Sequence, residues 1–290
     1  MSRLPRTQTD TDSLLREIFR LLDAENGIDF GHYKQATVRR RIARRMALCQ
    51  IECLPDYLHR LRGSREELEA LYEDLLITVT SFFRDPEVFD CLQTRIIPKI
   101  LAHVPADTPA RVWVPGCASG EEVYSIAICF VEAAPHRDSP VQIFGTDVSL
   151  QCITRARHGL YSVKIEESVP PAKLRRFFVK EAEGYRISKV IRQMCIFAEQ
   201  DVISDAPFSK MDLVSCRNLL MYLDTETQKQ VLGRLYYALK TTGFLVLGTS
   251  ESTAAAPQLF EQVEKPKRIY FKIPMAKPMH FAPATGLYGT

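Results

Sequence analysis

The strongest constraint on the fold of this chain is a regular alternation of strand-like and helix-like segments after residue 110. Residues 111–115 (RVWVP) form a short apolar run that ends in the turn Gly116–Gly120, and residues 121–132 then follow a helical pattern. Further strand-like runs lie at 141–147, 211–216, 243–248 and 268–272, with helix-like segments at 149–157 and 225–239. Strands that alternate with helices predict an α/β fold with a parallel, doubly wound sheet.

The residues before this alternation predict a separate helical domain. Apolar residues recur there at helical spacing, for example at Leu14, Ile18 and Leu22, and Ser64 has the chemistry of a helix N-cap. We therefore predict three regions, which are a helical domain at 1–90, an α/β domain at 91–273, and a linker or disordered tail at 274–290.

One stretch of the α/β domain interrupts the alternation. Residues 162–197 contain two consecutive prolines, a short helix-like run, and strand-like runs at 185–187 and 194–197. We interpret this stretch as a small inserted β-subdomain that carries a hairpin.

The composition is that of a soluble globular protein. Of the 290 residues, 46% are hydrophobic and 25% are charged. No apolar run reaches the roughly 20 residues that span a bilayer, and the polar N-terminus lacks the apolar core of a signal peptide. The eight cysteines are scattered without the spacing of a zinc site. We expect a cytosolic protein with reduced thiols and without a bound metal.

The first turn of the α/β domain indicates the type of cofactor. In doubly wound sheets, ligands bind at the carboxyl ends of the strands, and Gly116 would let the backbone approach a ligand closely. Glu121 and Glu122 begin the next helix, where they would repel the pyrophosphate of a dinucleotide. They suit a cationic ligand such as S-adenosylmethionine, although both would also favour the helix dipole without any ligand.

Acidic residues follow two further strand-like runs. Asp147 ends the second run, where an acidic side chain accepts hydrogen bonds from ribose hydroxyls; its alternative role is that of a helix cap. Asp201 and Val202 lie beyond the run at 194–197. Asp201 could bond an adenine amino group or be an ordinary loop aspartate.

Two polar segments complete the set of candidates. Residues 216–222 (CRNLLMY) place Arg217, Asn218 and Tyr222 after a buried strand, where core packing does not explain them. Residues 78–85 (TVTSFFRD) mix hydroxyls, aromatic rings and one arginine, and spacing alone indicates only an interdomain linker.

A basic cluster lies in the helical domain although the net charge of the chain is only +3. Such a cluster favours an acidic partner surface, and the alternative is a solvated helix face. Its members are Arg39, Arg40, Arg41, Arg44 and Arg45.

Together these motifs resemble the chemotaxis receptor methyltransferase family, called CheR. The resemblance runs from about Leu14 to Lys272 and is greatest to CheR domains embedded in larger signalling proteins. It is carried by residues 80–85 (TSFFRD), 116–122 (GCASGEE), 145–147 (GTD) and 216–218 (CRN) with Tyr222. The resemblance implies a Rossmann-like class I S-adenosylmethionine methyltransferase sheet, an N-terminal helical domain and a small inserted β-subdomain.

The resemblance also implies roles for individual residues. The reaction would transfer a methyl group from S-adenosylmethionine to glutamate side chains of a chemoreceptor, leaving S-adenosylhomocysteine. Arg84 and Tyr222 match residues beside the transferred methyl, and the basic helix matches one that lies against acidic receptor helices. Positions that match cofactor contacts are Thr78, Thr80, Arg84, Gly116, Glu122, Asp147, Asp201, Val202, Arg217 and Asn218.

Partners follow from the same resemblance. Relatives that bind the C-terminal pentapeptide of a receptor have a longer, glycine-rich loop than the segment 179–188, which contains only Gly184. The sequence therefore predicts a methyltransferase that does not need this pentapeptide, and we expect it to act as a monomer. Its rivals are a methyltransferase of small molecules or RNA and a non-catalytic S-adenosylmethionine-binding signalling module. We expect no nucleic-acid partner, because aromatic and basic residues do not interleave as in base-stacking surfaces.

Overall fold

The computed structural model describes residues 8–76 and 78–274, and the chain forms two compact units. The first comprises Met1–Ile77 together with Tyr222–Asp224, and the second comprises Thr78–Met221 with Thr225–Thr290. Most of the predicted tail, from residue 275 onward, lies outside the described residues.

The division between the units lies before Thr78 and not near residue 90, where the sequence predicts the end of the helical domain. The aromatic pair at this junction explains the difference. The ring of Phe82 packs edge-on against Tyr161 and Phe178, at centroid distances of 4.8 and 5.2 Å, and the Phe83 N–H donates to Ser125 Oγ at 3.0 Å. Helical periodicity identifies an apolar face but not the core into which that face packs.

The first unit is built from amphipathic helices. In α1 the predicted core residues Ile18 and Leu22 are buried together with Leu15, whereas Leu14 is half-buried. Ser64 is confirmed as an N-cap, because its hydroxyl accepts the Glu67 N–H at 3.2 Å at the start of α4. The helices of this unit are α1 (Gln8–Asn26), α2 (Gln35–Leu48), α3 (Leu54–Gly63) and α4 (Arg65–Leu75).

The second unit contains a seven-stranded sheet with the strand order β6-β2-β1-β7-β8-β10-β9. Its central strands are buried along almost their whole length, as expected for parallel strands covered on both faces. The strands are β1 (Ala110–Pro115), β2 (Val141–Asp147), β6 (Cys195–Glu199), β7 (Met211–Cys216), β8 (Leu239–Leu247), β9 (Phe260–Glu264) and β10 (Ile269–Lys272). The predicted α/β class is confirmed, although β10 runs antiparallel to both of its neighbours.

Helices connect these strands and pack against them. The helix α7 packs against β2, α8 packs against β2 and β6, and α11 packs against β7 and β8. A π-helical segment, Leu92–Ile96, joins α5 to α6. The helices of the second unit are α5 (Pro86–Cys91), α6 (Ile97–His103), α7 (Glu121–Ala133), α8 (Leu150–His158), α9 (Pro171–Phe177), α10 (Lys189–Gln193) and α11 (Thr225–Ala238). Among the helices described, none is long and apolar enough to cross a bilayer.

A separate three-stranded sheet forms the inserted subdomain. Its strands are β3 (Leu160–Tyr161), β4 (Phe178–Glu181) and β5 (Gly184–Ile187), in the order β3-β5-β4. The run at 194–197, which the sequence assigns to this subdomain, is not part of it: residues 195–197 begin β6, at the edge of the large sheet and parallel to β2. The assignment to the hairpin is wrong because a short apolar run does not encode its pairing partner.

Candidate functional site

The turn after β1 provides the floor of the site. Gly116, Ala118 and Gly120 all have positive φ values, of +66°, +45° and +92°. A Cβ on Gly120 would lie 2.9 Å from the Cβ of Ala156 and 3.2 Å from the Phe197 ring, so only glycine fits at this position. The turn therefore folds tightly against α8 at the carboxyl end of the sheet.

Asp147, at the end of β2, holds this turn in place. Its Oδ2 accepts the Ala118 N–H at 2.8 Å, and its Oδ1 accepts the Ser149 N–H at 2.9 Å. Burial raises the pKa of Asp147, and the backbone N–H donors oppose part of that rise. Asp147, predicted as a ribose contact, therefore braces the turn after β1.

Glu122, the second residue of α7, faces the end of β7. Its Oε1 accepts the Ser215 hydroxyl at 2.7 Å, and its Oε2 accepts Nη1 of Arg217 at 3.1 Å. Burial raises the pKa of Glu122, while Arg217 and Ser215 oppose the rise. The sequence did not single out Ser215, although its place at the carboxyl end of a buried strand was a usable signal.

Arg217 is the most buried cation of the site, with its side chain 1% exposed. Besides Glu122 it binds Asp85 Oδ2 at 2.6 Å and the Arg84 carbonyl at 2.8 Å, both through Nη2. Its guanidinium also lies 5.4 Å from the centre of the Phe89 ring. Its Nε is buried and has no hydrogen-bond partner among the described residues, so one donor remains for a ligand or water.

The segment 78–85 carries two residues in the left-handed region, Phe83 at φ +50° and Asp85 at φ +60°. Arg84 lies between them, and its Nη1 donates to the Val79 carbonyl at 3.0 Å. Thr78 is exposed, whereas Thr80 is half-buried. The segment is thus a shaped turn with local strain, a feature that often accompanies functional sites, and not the plain linker that spacing indicates.

A carboxylate that the sequence analysis missed, Glu251, holds the turn after β7. Asn218 adopts φ +60°, and its N–H donates to Glu251 Oε2 at 2.8 Å. Glu251 is 4% exposed and lies four residues after the end of β8. An acidic residue just beyond a buried parallel strand was the signal that could have identified it.

Asp201 and Val202 follow β6. The Asp201 carboxylate accepts the Ile203 N–H at 2.8 Å and the Ser204 hydroxyl at 3.0 Å, so it closes its own turn. Val202 is buried. The Gln200 N–H donates to the Asp147 carbonyl at 3.1 Å, which places this turn beside the end of β2.

A cavity of about 330 Å³ lies on the subdomain side of the β1 turn. Glu121 faces it and accepts the Ser119 hydroxyl at 2.8–2.9 Å, and burial raises the pKa of Glu121. Of the predicted cofactor residues, Thr80 is the one that lines this cavity. The other lining residues are Ser81, Phe82, Ser119, Arg155, Leu160, Tyr161, Ser162, Lys164, Ile165 and Ser168.

Tyr222 belongs to the helical unit, where its carbonyl accepts the Lys34 N–H at 2.8 Å. The basic cluster lies in the same unit along α2. Arg39 pairs with Asp12 and Arg44 pairs with Asp74 at 3.5 Å.

Arg45 differs from the rest of the basic cluster because it is part of a buried network. Its guanidinium binds both oxygens of Glu67, at 3.0 and 2.6 Å, and Tyr57 donates its hydroxyl to Glu67 at 2.8 Å. Burial raises the pKa of Glu67, but hydrogen bonds from Arg45, Tyr57 and Cys49 outweigh it, so the pKa is lowered.

Both units match known protein families. Residues 78–269 match the family described as "CheR methyltransferase, SAM binding domain", and residues 13–76 match "CheR methyltransferase, all-alpha domain". The first match alone covers more than half of the chain.

Curated relatives agree with these matches. The chain is 39% identical over 279 residues to a 104.1 kDa protein from the hypE 3'region of Rhodobacter capsulatus. The aligned region covers 95% of this chain but only 29% of that protein. It is 30% identical to the chemotaxis protein methyltransferase 2 of Vibrio cholerae, covering 87% of this chain and 89% of the relative. It is likewise 30% identical to the chemotaxis protein methyltransferase 1 of Pseudomonas aeruginosa, covering 86% and 93%.

Proposed function

Because this chain belongs to the CheR methyltransferase family and uses S-adenosylmethionine, we propose that it methylates glutamate carboxylates of a chemoreceptor-like protein. The products would be glutamyl methyl esters and S-adenosylhomocysteine. One observation carries the proposal: both units match their CheR counterparts, and relatives that cover most of the chain bear the name chemotaxis protein methyltransferase.

The chemistry of the site fits this cofactor. Asp147, Glu121 and Glu122 are carboxylates whose pKa burial raises, so a bound cation would relieve an existing electrostatic cost. We propose that Asp147 accepts hydrogen bonds from the ribose and that the glutamates attract the positively charged end. When bound, S-adenosylmethionine supplies a methyl group on a sulfonium leaving group.

The protein does not need a general base for this reaction. A glutamate side chain has an ordinary pKa of about 4.3, so it is already ionised at neutral pH. The task of the enzyme is therefore to align the carboxylate, and alignment can supply about 7–11 kcal/mol in favourable cases. We assign Arg84 to attract and orient the carboxylate, and the Tyr222 hydroxyl to donate a hydrogen bond to it.

We propose that α2 binds acidic receptor helices through Arg39, Arg40, Arg41 and Arg44. Arg40 and Arg41 have no ion pair among the residues described, and the pairs of Arg39 and Arg44 are partly exposed. Exposed pairs are weak and can exchange partners. Arg45 is the exception, because its bonds to Glu67 commit it to the helical unit.

A receptor pentapeptide is not required in this proposal. The hairpin β4–β5 closes between Glu181 and Gly184, which leaves a loop of Ala182 and Glu183. This compact loop supports the prediction that the subdomain does not tether a receptor tail. Tight binding of a receptor C-terminal pentapeptide in calorimetry would contradict it.

The test is transfer of a radiolabelled methyl group to cytoplasmic fragments of receptors encoded by the same organism. Mild base should release the label as methanol, which marks a carboxyl ester and excludes methylated RNA. Arg84→Ala should abolish transfer, and Tyr222→Phe should mainly slow it. Full turnover by both variants would show that the catalytic assignment is wrong.

A second outcome would favour a different function. If the protein bound S-adenosylmethionine but methylated none of the receptors, a non-catalytic signalling module would replace the enzyme as the better account. The variants Arg40→Glu and Arg41→Glu separate docking from catalysis, because they should raise the KM for the receptor without changing the affinity for S-adenosylmethionine.

A further inference from the structure

We infer that Glu251 is a positioning residue that fixes the cofactor-binding turn after β7. The inference rests on the proposed roles of Arg217 and Asn218 as cofactor contacts. It concerns a side chain that neither the sequence motifs nor the family resemblance assigned to the site.

The carboxylate of Glu251 binds backbone N–H groups of two residues in the turn after β7 and of Gly248, which directly follows β8. Its Oε2 accepts the N–H of Asn218 at 2.8 Å and the N–H of Gly248 at 2.7 Å. Its Oε1 accepts the N–H of Met221 at 3.1 Å. One buried side chain therefore holds residues 218 and 221 of the turn to the end of β8, and charge-assisted bonds of this kind are about twice as strong as neutral ones.

The conformation of the turn explains why it needs such support. Asn218 has φ +60°, in the left-handed region that costs most non-glycine residues energy, although asparagine tolerates it better than most. A residue kept there must be held by its surroundings. The Asn218 N–H donates to the carboxylate of Glu251, so Glu251 directly stabilises the left-handed conformation of Asn218.

Gly248 provides the space for this arrangement. A Cβ at this position would lie 2.7 Å from Oε2 of Glu251, 2.9 Å from the backbone nitrogen of Asn218 and 2.9 Å from its Nδ2. The backbone nitrogen cannot rotate away as a flexible side chain could. Glu251 and Gly248 therefore act together, and an added methyl at residue 248 should displace the turn without removing the carboxylate.

The turn so positioned carries the groups that the site requires. Arg217 precedes Asn218 and binds Glu122 at 3.1 Å. Met221 directly precedes Tyr222 in the chain. A shift at the Asn218 bond to Glu251 would move a proposed cofactor contact, and displacements of about 1 Å can reduce a rate about 100-fold.

The chain offers a matched control at the other end of the same strands. Asp212 is also 4% exposed, and it also accepts a backbone N–H from a neighbouring strand, that of Arg111 at 2.8 Å. It lies at the amino end of β7, opposite the site. Asp212→Ala should therefore destabilise the protein through a similar loss without moving the turn.

The experiment compares Glu251→Ala, Glu251→Gln, Gly248→Ala and Asp212→Ala in the full chain. S-adenosylmethionine affinity is measured by calorimetry, and folding by circular dichroism and thermal unfolding. Glu251→Ala and Gly248→Ala should raise the Kd about tenfold or more, equivalent to the factor expected when a positioning contact is lost. Glu251→Gln, which keeps an oxygen for Asn218 and Gly248, should recover most of the affinity, and Asp212→Ala should bind like the unmodified protein.

The inference is overturned if folded Glu251→Ala binds S-adenosylmethionine normally, or if Asp212→Ala loses as much affinity. If Glu251→Ala does not fold, Glu251→Gln and Gly248→Ala decide, and normal affinity in Gly248→Ala overturns the inference. Because the readout is binding, it is independent of the receptor. Failure to methylate any receptor would count against the proposed function and not against the role of Glu251.

Discussion

The two ends of the large sheet use buried carboxylates in different ways. At the amino end, Asp212 accepts the Arg111 N–H at 2.8 Å and the ammonium of Lys240 at 2.7 Å, so its charge meets a cation. At the carboxyl end, Asp147 accepts only backbone N–H groups in the described structure, and burial raises its pKa. Asp212 is therefore paired with a cation, whereas Asp147 is paired only with backbone N–H groups among the residues described.

Two buried or half-buried carboxylates at the carboxyl end also hold backbone in the left-handed region. Ala118 and Asn218 are non-glycine residues in the left-handed region, and each donates its N–H to a carboxylate, Asp147 or Glu251. Strain and raised pKa values concentrate at functional sites because a ligand can relieve both. Burial alone therefore does not distinguish the two ends of the sheet, whereas the lack of a cation beside the carboxylate, in the part of the chain that is described, distinguishes Asp147 from Asp212.

The largest expected effect comes from breaking the buried pair at the carboxyl end. Arg217→Ala leaves Glu122 buried without its cation, which should cost about 3–5 kcal/mol of stability. Urea unfolding measures this loss. The double variant Arg217→Ala with Glu122→Gln should regain much of it, because glutamine carries no charge. A double variant no more stable than the single one would contradict this account of the damage.

The second effect sharpens the contrast through pH. Because burial raises the pKa of Glu121, Glu122 and Asp147, their neutral forms become populated at higher pH than in ordinary carboxyls, which titrate near 4. A cationic ligand binds the ionised forms. S-adenosylmethionine should therefore release protons on binding, and its affinity should fall as the pH decreases through the raised pKa values.

Calorimetry in two buffers with different ionisation enthalpies measures this proton release directly. Glu121→Gln should reduce it, because one of the carboxyl groups is removed. Proton uptake in the unmodified protein would contradict the proposed coupling between these groups and the ligand.

The smallest effect is expected at the amino end. Lys240 is 38% exposed, and Asp212 keeps its bond to Arg111 when the lysine is lost. Lys240→Ala should therefore cost only about 1–2 kcal/mol in thermal or urea unfolding. Its affinity for S-adenosylmethionine should be unchanged, and a lower affinity would mean that the two ends are not separable.

Much of the fold follows from local patterns in the sequence. Continuous apolar runs predict the buried parallel strands, and the order of strand, turn and helix predicts the class of the sheet. The prediction that the run at 194–197 belongs to the hairpin is wrong because four residues do not specify the strand with which they pair. Residues 195–197 lie in β6 because they pair with β2. The aromatic pair Phe82 and Phe83 is similarly ambiguous, since Phe82 packs against Tyr161 and Phe83 lies under Lys173, both far along the chain.

Charge and strand position select the candidate site residues that lie at one edge of the sheet. Glu122 contacts Arg217, and Asp147 lies at the end of β2, because parallel strands bring their carboxyl ends to one edge of the sheet. Glu251 was not predictable in this way, since its role depends on which N–H groups a turn leaves unpaired. Arg45 was counted with the basic cluster because spacing does not reveal the buried Glu67 beneath it.

The most direct test of the division between the two ends is a calorimetric titration of the unmodified protein, Asp147→Ala and Asp212→Ala with S-adenosylmethionine, S-adenosylhomocysteine and NAD. We expect Asp212→Ala to bind S-adenosylmethionine and S-adenosylhomocysteine each with the same affinity as the unmodified protein. Neither protein should bind NAD. We expect Asp147→Ala to lose at least about tenfold in affinity, or 1.4 kcal/mol. Equal losses in both variants, or NAD binding as tight as that of S-adenosylmethionine, would contradict the assignment of the carboxyl end as the cofactor site.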